Sequence, residues 1–419
     1  QLKPDFTGAL SNLLLTLNYL PYSDSAKQYT LATQFGKIVN YKTERDFPKH
    51  KNLSTPKVLH IGFVSGDLNQ HPVGYFLESV LSSLNNEKVR LFAYPTNNKF
   101  DNLSARICQM FHSWNSISGK KDLEAAKLIS EDEIHILIDL SGHTADNRLS
   151  LFAYKPSPVQ VSWLGYFATT GLDEIDYIIA DPIVAPQELA SQFTETVWHL
   201  PETRWCFTPP NSDAKVSRLP ALINGYITFG CFNSIMKITP IVVRTWAKIL
   251  CAVPGSKLLL KSKQFQDRIV REHMLQNFYC FNIDLDRIIV EEPEDRKNYL
   301  LAYNKIDIAL DPFPFTGGAT SVEALWMGVP FITVCGNSLV SRQGAAILTH
   351  TKLQQWIAKD EIDYIQKAIR FSSNLEKLTD IRKDLRINLL RSPLVDSNRF
   401  AKYFEEALWG MWEESRNVK

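Results

Sequence analysis

The sequence lacks the bulk features that mark membrane or nucleic-acid proteins. No stretch of its 419 residues approaches the ~18 consecutive apolar residues of a membrane-spanning helix. Lys and Arg total 46 against 45 for Asp and Glu, so no overall field draws the chain to polyanions. We therefore expect neither nucleic acid nor a membrane as partner. Any anion that binds must be held by local geometry.

Cysteine is also scarce, and its placement favours no metal or redox site. The sequence contains no CxxC pair and no Cys/His cluster with zinc spacing. We interpret the cysteines as small buried hydrophobic residues of a reducing compartment, which predicts a cytoplasmic protein. They are Cys108, Cys206, Cys231, Cys251, Cys280 and Cys335.

What the sequence does contain is an alternation of short apolar, β-branched runs with amphipathic stretches. This alternation indicates βαβ units and a mostly parallel sheet, hence the α/β class. The first series of runs is Val58–Val64, Val89–Tyr94, Ile134–Leu140, Val159–Trp163 and Tyr177–Ala180. After a Pro/Ser/Asp stretch at Pro209–Pro220, predicted to be a linker, the second series is Tyr226–Cys231, Lys257–Lys261, Arg287–Glu291, Ile306–Leu310 and Pro330–Cys335.

Two such series predict two Rossmann-like lobes that face each other across a cleft, with ligands at the carboxyl ends of the strands. We expect an N-terminal helical segment at 1–52, a first lobe at 53–215 and a second at 216–395. A final helix within 396–419 carries an apolar stripe at i, i+3, i+4 and i+7, which must pack on something. The stripe is Phe400, Tyr403, Phe404, Ala407, Leu408 and Met411.

The sharpest local motif is the segment Leu310–Pro330. A strand ends at Asp311, and a small-residue loop at Thr316–Thr320 leads into a helix whose predicted cap is Ala319 or Thr320. Exposed amides at a helix start, together with the hydroxyls of Thr320 and Ser321, suit a pyrophosphate. Glu323, one turn further on, can accept hydrogen bonds from ribose hydroxyls. The alternative is an ordinary glycine-rich turn, and the motif is neither GxGxxG nor a Walker loop.

A second motif, Phe229–Pro240, places a lone Lys237 in a loop between a strand and a helix opened by Pro240. A fixed cation there would neutralise charge on a departing nucleoside diphosphate. The alternative is a solvated surface lysine.

Two histidine-containing loops follow strands of the first lobe. His71 lies in the loop Ser65–Tyr75, where a general base or a positioning imidazole would be placed. His143 and Thr144 lie in the loop Leu140–Asn147 and are candidates to line the cleft. A structural role is the alternative for each of them.

One DxD pattern, Asp284-Leu-Asp286, precedes a strand instead of following one. We interpret it as a solvated connection, so the sequence predicts no metal site and no cofactor, although a metal-dependent transferase would use such carboxylates. The cationic loop and the helix start would neutralise the diphosphate instead.

Taken together, the motifs resemble the family of protein O-GlcNAc transferases and SPINDLY-type protein O-fucosyltransferases over nearly the whole chain. The strings that carry the resemblance are Ile61–Asp67 with His71-Pro72, Ser141–Thr144, Trp163–Tyr166, Phe232-Asn233 with Lys237, and Asp311–Pro330. The resemblance implies a GT-B fold and an inverting, metal-independent protein O-glycosyltransferase. It also implies that 1–52 is the remnant or the end of a tetratricopeptide-like region.

The resemblance assigns roles residue by residue. Lys237 matches the lysine that stabilises the leaving diphosphate, and His71 matches a histidine important for activity. The donor-binding positions are Thr144, His143, Asn233, Ser234, Tyr299, Gly317, Gly318, Ala319, Thr320, Ser321 and Glu323. Tyr299 replaces the usual histidine that packs on the base, and Gly318-Ala319 replaces the His-Thr of animal enzymes.

The implied donor is UDP-GlcNAc and the implied acceptor a Ser or Thr hydroxyl of a polypeptide. GDP-fucose is the alternative donor, because the stretch Phe229–Val253 looks equally like the SPINDLY branch. A non-catalytic nucleotide-binding scaffold is the alternative from another functional class.

Overall fold

The computed structural model describes residues 6–21, 24–43, 47 and 55–417. The chain divides into two compact units. The first comprises the described parts of 1–17, 23–208 and 396–419, and the second those of 18–22 and 209–395. The helices at both ends of the chain, which the sequence analysis delimits as separate segments, are grouped here with the first unit.

The first unit is built on a seven-stranded sheet in the order β3-β2-β1-β4-β5-β6-β7, with every neighbouring pair parallel. The strands are β1 (Leu59–Ser65), β2 (Val89–Pro95), β3 (Ser113–Trp114), β4 (Ile136–Asp139), β5 (Val159–Ser162), β6 (Tyr177–Ala180) and β7 (Thr196–His199). All five predicted strands are confirmed. The two edge strands β3 and β7 were not predicted, because they are short and only partly buried and so lack an apolar run.

The second unit has a six-stranded parallel sheet in the order β10-β9-β8-β11-β12-β13. The strands are β8 (Thr228–Cys231), β9 (Lys257–Lys261), β10 (Ile288–Glu291), β11 (Ile308–Leu310), β12 (Phe331–Val334) and β13 (Ile357–Ala358). The five predicted strands are again confirmed, and only the two-residue β13 was missed. Two Rossmann-like units with parallel sheets therefore confirm the α/β fold class.

α-Helices connect most consecutive strands of the two sheets, and further helices lie before β1 and after β13. They are α1 (Thr7–Leu17), α2 (Ser25–Lys42), α3 (Pro72–Ser83), α4 (Asn102–Cys108), α5 (Asp122–Glu131), α6 (Leu149–Phe152), α7 (Ala221–Asn224), α8 (Pro240–Ala252), α9 (Arg268–Tyr279), α10 (Arg296–Ala302), α11 (Ala319–Trp326), α12 (Leu339–His350), α13 (Glu361–Ser372), α14 (Leu375–Leu390) and α15 (Ser397–Asn417). No helix in the described ranges is long and apolar enough to cross a membrane.

The helices at both ends of the chain are part of the first unit's core. Leu14 of α1 and Phe35 of α2 belong to the same buried cluster as Val64 of β1. In α15 the predicted apolar stripe is buried except for the half-buried Tyr403. The ring of Phe404 lies 4.5 Å from that of Trp163, just after β5. The predicted stripe of α15 therefore has its partner.

The predicted linker at 209–220 is irregular, as expected, but it is fastened to the second unit. Arg386 Nη2 donates to the Ala214 carbonyl at 2.9 Å, and Arg382 Nε donates to the Ser217 carbonyl at 3.0 Å. Because two guanidinium groups of α14 hold this backbone, the buried one of Arg382 and the half-buried one of Arg386, the segment is structural in the second unit.

The prediction that all six cysteines are buried is wrong for two of them. Cys251 and Cys280 are exposed, whereas Cys206 and Cys231 are buried and Cys108 and Cys335 are half-buried. The exposed pair lies at the ends of α8 and α9, where the apolar spacing of the helices no longer determines burial.

Candidate functional site

The glycine-rich loop of the second unit joins the carboxyl end of β11 to helix α11. The helix begins at Ala319 with Gly318 as its N-cap, which corrects the predicted cap by one or two residues. An α-helix leaves its first amides without intrahelical acceptors, so the N–H groups of Ala319 and Thr320 face the loop as donors. The structure thus forms the predicted helix start, and its binding of an anion stays a prediction.

A buried carboxylate fixes this loop. Asp311 is 2% exposed; its Oδ1 accepts the Gly317 N–H at 2.7 Å and its Oδ2 accepts the Thr333 hydroxyl at 2.8 Å. A Cβ on Gly317 would lie 2.1 Å from Ser321 Oγ, so any larger residue would displace the Ser321 hydroxyl from its place near Asp311. Burial raises the pKa of Asp311 to about 6, against the lowering effect of these hydrogen bonds.

The two predicted phosphate-binding hydroxyls are engaged within the loop. Thr320 Oγ1 donates to Asn233 Oδ1 at 3.0 Å, and Ser321 Oγ lies 3.4 Å from Asp311 Oδ1. Because each hydroxyl uses its proton on the protein, what it can still offer is acceptor capacity. Donors for an anion must therefore come from backbone amides and from a cation.

Lys237 supplies that cation. It lies at the end of a short 3₁₀ turn, Ile235–Lys237, after β8. Its Nζ donates to the Thr316 carbonyl at 3.0 Å and to Asn233 Oδ1 at 3.2 Å, and lies 4.1 Å from the centre of the Phe315 ring. Both acceptors are neutral oxygens, so the ammonium charge is directed at the loop without a carboxylate bound to it.

Burial sets the protonation behaviour of this lysine. It lowers the pKa of Lys237 to about 8, while the negative charge of Asp311 acts in the opposite direction. The amine is therefore charged at neutral pH but loses its proton more readily than a surface lysine.

Asn233 and Ser234 connect this cation to the neighbouring strand. Asn233 is buried, and its Oδ1 accepts from both Lys237 and Thr320. Ser234 Oγ caps the 3₁₀ turn and accepts from Gln264 Nε2 at 3.1 Å, after β9. The predicted donor-binding residues of β8 and α11 are thus joined in one hydrogen-bonded group.

A cavity of about 300 Å³ opens beside this group in the second unit. Phe232 and Tyr299 form its aromatic wall, with their ring centres 5.7 Å apart. The remaining lining residues are Ser234, Lys261, Ser262, Lys263, Gln264 and Pro293. They follow β8, β9 and β10, so the cavity lies at the carboxyl edge of the sheet, where ligands of such sheets bind.

Glu323 is more enclosed than the sequence suggested. Its side chain is 3% exposed, its Oε1 lies 2.6 Å from Arg296 Nη1, and its Oε2 accepts from the Tyr299 hydroxyl at 3.1 Å. Burial nevertheless raises its pKa, with Arg296 acting in the opposite direction. The expectation of a free ribose-binding carboxylate needs correction: Glu323 is one half of an ion pair whose more exposed half is Arg296.

In the first unit, His71 caps helix α3 at the carboxyl end of β1. Its Nδ1 lies 3.4 Å from the Val73 N–H and 3.6 Å from Asp67 Oδ2. Burial lowers the pKa of His71, and the charge of Asp67 acts against this. The imidazole is therefore neutral at pH 7, with Nδ1 occupied and Nε2 directed away from these two groups.

The Asp139 carboxylate, at the end of β4, holds the loop that follows this strand. Its two carboxylate oxygens accept the amides of Ser141 at 3.1 Å and Gly142 at 2.7 Å. Thr144 closes the turn, because its N–H and its hydroxyl both donate to the Ser141 carbonyl, at 3.0 and 2.7 Å. Thr144 is half-buried on the open side of this turn.

His143 occupies the opposite side of the same turn, and its predicted contact with the donor is wrong. It is 1% exposed; its Nδ1 lies 2.8 Å from Ser11 Oγ and its Nε2 lies 3.0 Å from the Thr170 carbonyl. Neither nitrogen is available to a ligand, because each is already used in a buried hydrogen bond of the first unit.

The described residues contain no group of three His, Cys, Asp or Glu side chains that could hold a metal ion. Asp284 caps a 3₁₀ turn, and both it and Asp286 are exposed. The interpretation of the DxD pattern as a solvated connection is confirmed.

Sequence reasoning missed three contributors. Asp311 had a visible signal, since it ends a strand just before a glycine-rich loop. Arg296 lies in an unremarkable charged stretch, and Phe315 follows two prolines; only folding brings them to Glu323 and to Lys237.

Comparison with known proteins identifies the family. The family model described as "Glycosyl transferase family 41" matches residues 25–208 and 215–404. The "Probable UDP-N-acetylglucosamine--peptide N-acetylglucosaminyltransferase SPINDLY" of Oryza sativa subsp. japonica is 35% identical over 98% of this chain and 45% of its own length. The corresponding protein named SEC, from Arabidopsis thaliana, is 31% identical over 85% of this chain and 37% of its own length. The chain spans less than half the length of these curated relatives.

Among solved structures, a lysine-to-methionine mutant of the Thermobaculum terrenum O-GlcNAc transferase matches with a TM-score of 0.92 and 32% identity. The match covers 100% of this chain and 79% of that one. The Anabaena protein Alr3699/HepE, solved with UDP and glucose, matches with a TM-score of 0.57 at 12% identity over 84% of this chain and all of its own; this likeness shows the fold alone. These likenesses confirm the GT-B fold class, and the chain belongs to glycosyl transferase family 41.

Proposed function

We propose that this chain is a protein O-glycosyltransferase that moves a sugar from a nucleotide-sugar donor to Ser or Thr hydroxyls of polypeptides, with inversion and without a metal. One observation carries the proposal: the Lys237 ammonium, whose two hydrogen bonds in the described part of the chain go to neutral oxygens, lies beside the helix start at Gly318. A cation and free amides at one loop form a site for the diphosphate that leaves during transfer.

The order of events follows from where charge appears. An acceptor hydroxyl attacks the anomeric carbon while the bond from that carbon to the diphosphate oxygen breaks, so negative charge grows on the leaving group. Lys237 and the amides of Ala319 and Thr320 are already oriented and need not reorganise, which lowers the barrier. Neutral His71 is available through Nε2, and its tautomer decides the role. With Nδ1 accepting the Val73 N–H, the proton is on Nε2, which can position the acceptor by donating to its oxygen. With the proton on Nδ1, beside the Asp67 carboxylate, the Nε2 lone pair can take the hydroxyl proton.

The cavity beside Phe232 and Tyr299 is our candidate nucleoside pocket. Its volume of about 300 Å³ is at the lower end of ordinary ligand pockets. An aromatic wall can stack on a flat base. Arg296, the more exposed half of the pair with Glu323, lies next to Tyr299 and can offer its guanidinium to the ribose hydroxyls.

UDP-GlcNAc is the proposed donor, because the named relatives are UDP-GlcNAc–peptide transferases. GDP-fucose is the second candidate. The SPINDLY relative covers more of this chain, at higher identity, than the SEC relative does, and SPINDLY-type activity is fucosylation in the resemblance described above.

The test is transfer to a Ser/Thr peptide library with each donor in the presence of EDTA, read by peptide mass. An added HexNAc supports the first donor and an added deoxyhexose the second. Thermal shift with UDP and GDP runs in parallel, since ligand at 100 times its Kd adds about 2.7 kcal/mol of stability. If the chain binds nucleotide but neither modifies a peptide nor hydrolyses the donor, the non-catalytic scaffold is the better interpretation.

A further inference from the structure

The buried histidine that the proposed mechanism leaves unused, His143, joins three separate parts of the first unit. Ser11 Oγ, from helix α1, lies 2.8 Å from its Nδ1, and the Thr170 carbonyl lies 3.0 Å from its Nε2. The edge of the ring meets Phe35 of helix α2 at 4.7 Å between ring centres. One side chain therefore contacts α1, α2 and the loop after β5.

The chemistry of these partners fixes the direction of each hydrogen bond. A carbonyl oxygen can only accept, so Nε2 carries the proton and donates to Thr170. In a neutral ring Nδ1 is then the acceptor, and the Ser11 hydroxyl must donate to it. Burial keeps the ring neutral by lowering the pKa of His143 to about 4. The network is complete, with no spare polar atom on the imidazole.

Helix α2 contacts the same loop through backbone atoms. Gly36 approaches Gly171 so closely that a Cβ on Gly36 would lie 1.9 Å from the Gly171 carbonyl oxygen. Gly171 has a φ of +76°, and a Cβ there would lie 2.1 Å from the Ala32 carbonyl oxygen. Because backbone meets backbone, the loop and α2 cannot shift independently.

A second buried carboxylate holds the loop from its other side. Glu195 accepts the Thr170 N–H at 2.7 Å and the Thr169 hydroxyl at 2.8 Å. The Thr170 carbonyl, which accepts the hydrogen bond from His143, is thus itself held in place. The turn containing His143 is fixed by Asp139, so the imidazole bridges two rigid segments.

From these contacts we infer that His143 is a positioning residue that couples the helices α1 and α2 to the turn carrying Thr144. Through this coupling, Ser11 of the N-terminal helical segment sets the geometry with which the first unit contacts the donor. The inference rests on the proposed function and on the predicted donor-binding role of Thr144. In a turn closed by Thr144 on Ser141, His143 points inward and Thr144 outward. Loss of the hydrogen bonds of His143 should therefore also allow the Thr144 side chain to move.

The test compares two buried serines of the first unit in the full chain. Ser11→Ala removes the hydroxyl that donates to His143. Ser157→Ala is the matched control, because Ser157 is also buried and spends its hydroxyl on one hydrogen bond, to the Val159 carbonyl, at the amino end of β5. Ser11→Thr restores a hydroxyl. The readouts are Tm, UDP and GDP Kd, and kcat and KM for the donor that wild type uses.

We expect similar losses of Tm in the two alanine variants. Only Ser11→Ala should lose kcat/KM, by about tenfold, with unchanged Kd for the free nucleotide, whose proposed site is in the second unit; Ser11→Thr should recover at least half of the loss. Equal kcat/KM in the two alanine variants, or a Ser11→Ala loss that Ser11→Thr does not recover, overturns the inference. Absent transfer or nucleotide binding by wild type instead overturns the proposed function, and the inference with it.

Discussion

Two loops of this chain follow strand ends and are held by buried carboxylates, but they differ in the groups that complete them. The turn at 141–144 in the first unit and the loop at 316–321 in the second both follow a parallel strand at its carboxyl end. Each is anchored by a buried aspartate, Asp139 or Asp311, that accepts backbone amides. Burial raises the pKa of both, to about 7 for Asp139 and about 6 for Asp311.

The loops differ in what completes them. The second-unit loop gains a cation, Lys237, from the strand beside it. The first-unit turn contains a neutral imidazole, His143, whose partners lie in helices α1 and α2 and in the loop after β5. A fixed charge stabilises an anion directly, whereas a neutral network fixes only geometry. In the proposed mechanism, the second unit therefore stabilises the leaving group and the first positions the reactants.

The largest expected effect comes from removing the cation. Lys237→Met should lower kcat by at least about 10²-fold, the size typical of losing one preorganised stabilising group, and should leave Tm nearly unchanged. Single-turnover transfer measures it. Lys257→Met is the matched control, because Lys257 also lies over an aromatic ring, that of Tyr226, but at the amino end of β9. A Lys237→Met enzyme with more than a tenth of wild-type kcat removes this residue from the mechanism.

The next effect separates the two units. His71→Asn should lower kcat by about 10–10²-fold through loss of the imidazole, while the Kd for the nucleotide stays unchanged. Asparagine is a good N-cap, so α3 keeps its first hydrogen bond and the fold is preserved. Isothermal titration and initial rates read the two quantities. A weakened nucleotide Kd would show that the first unit also contributes to nucleotide binding.

A smaller effect tests the anchor of the second loop. Asp311→Asn keeps the shape but presents an amide N–H₂ to donors, which should weaken nucleotide binding by about tenfold and cost about 1–3 kcal/mol of stability. Since the pKa of Asp311 rises on folding, the folded wild type binds more protons, and this group makes the free energy of unfolding fall as pH rises from about 4 to 6. Urea titrations across this range should show a smaller fall in the variant. An identical slope in both proteins would contradict the role of this carboxylate.

The smallest effect is the pH response of the cation. Lys237 must be charged to act, and its pKa is lowered to about 8, so kcat/KM should halve near pH 8 and fall about tenfold by pH 9. Buffered initial rates measure this limb, with circular dichroism at pH 9 as the control for folding. A flat profile up to pH 9.5 would mean that the amine titrates as an ordinary surface lysine.

The sequence by itself determined the architecture and most of the second-unit site. Parallel strands buried on both faces leave continuous apolar runs, so ten strands and the class of fold could be predicted from local composition. The residues Asn233, Lys237 and Gly317–Ser321 lie in short segments that follow strands, and strand ends in a parallel sheet meet at one edge. Proximity along the chain therefore implied proximity in space.

Only the tertiary structure decided what each polar group does. It paired Glu323 with Arg296 and Tyr299, and it turned His143 inward to Ser11, a residue 132 positions away along the chain. It also placed helices α1 and α2, predicted only as an N-terminal helical segment, in the core of the first unit. A hydrogen bond forms or fails with a change of a few tenths of an ångström in the distance between donor and acceptor. No local sequence pattern relates the positions of distant segments that closely. A sequence can therefore indicate a candidate histidine without determining the direction in which its side chain points.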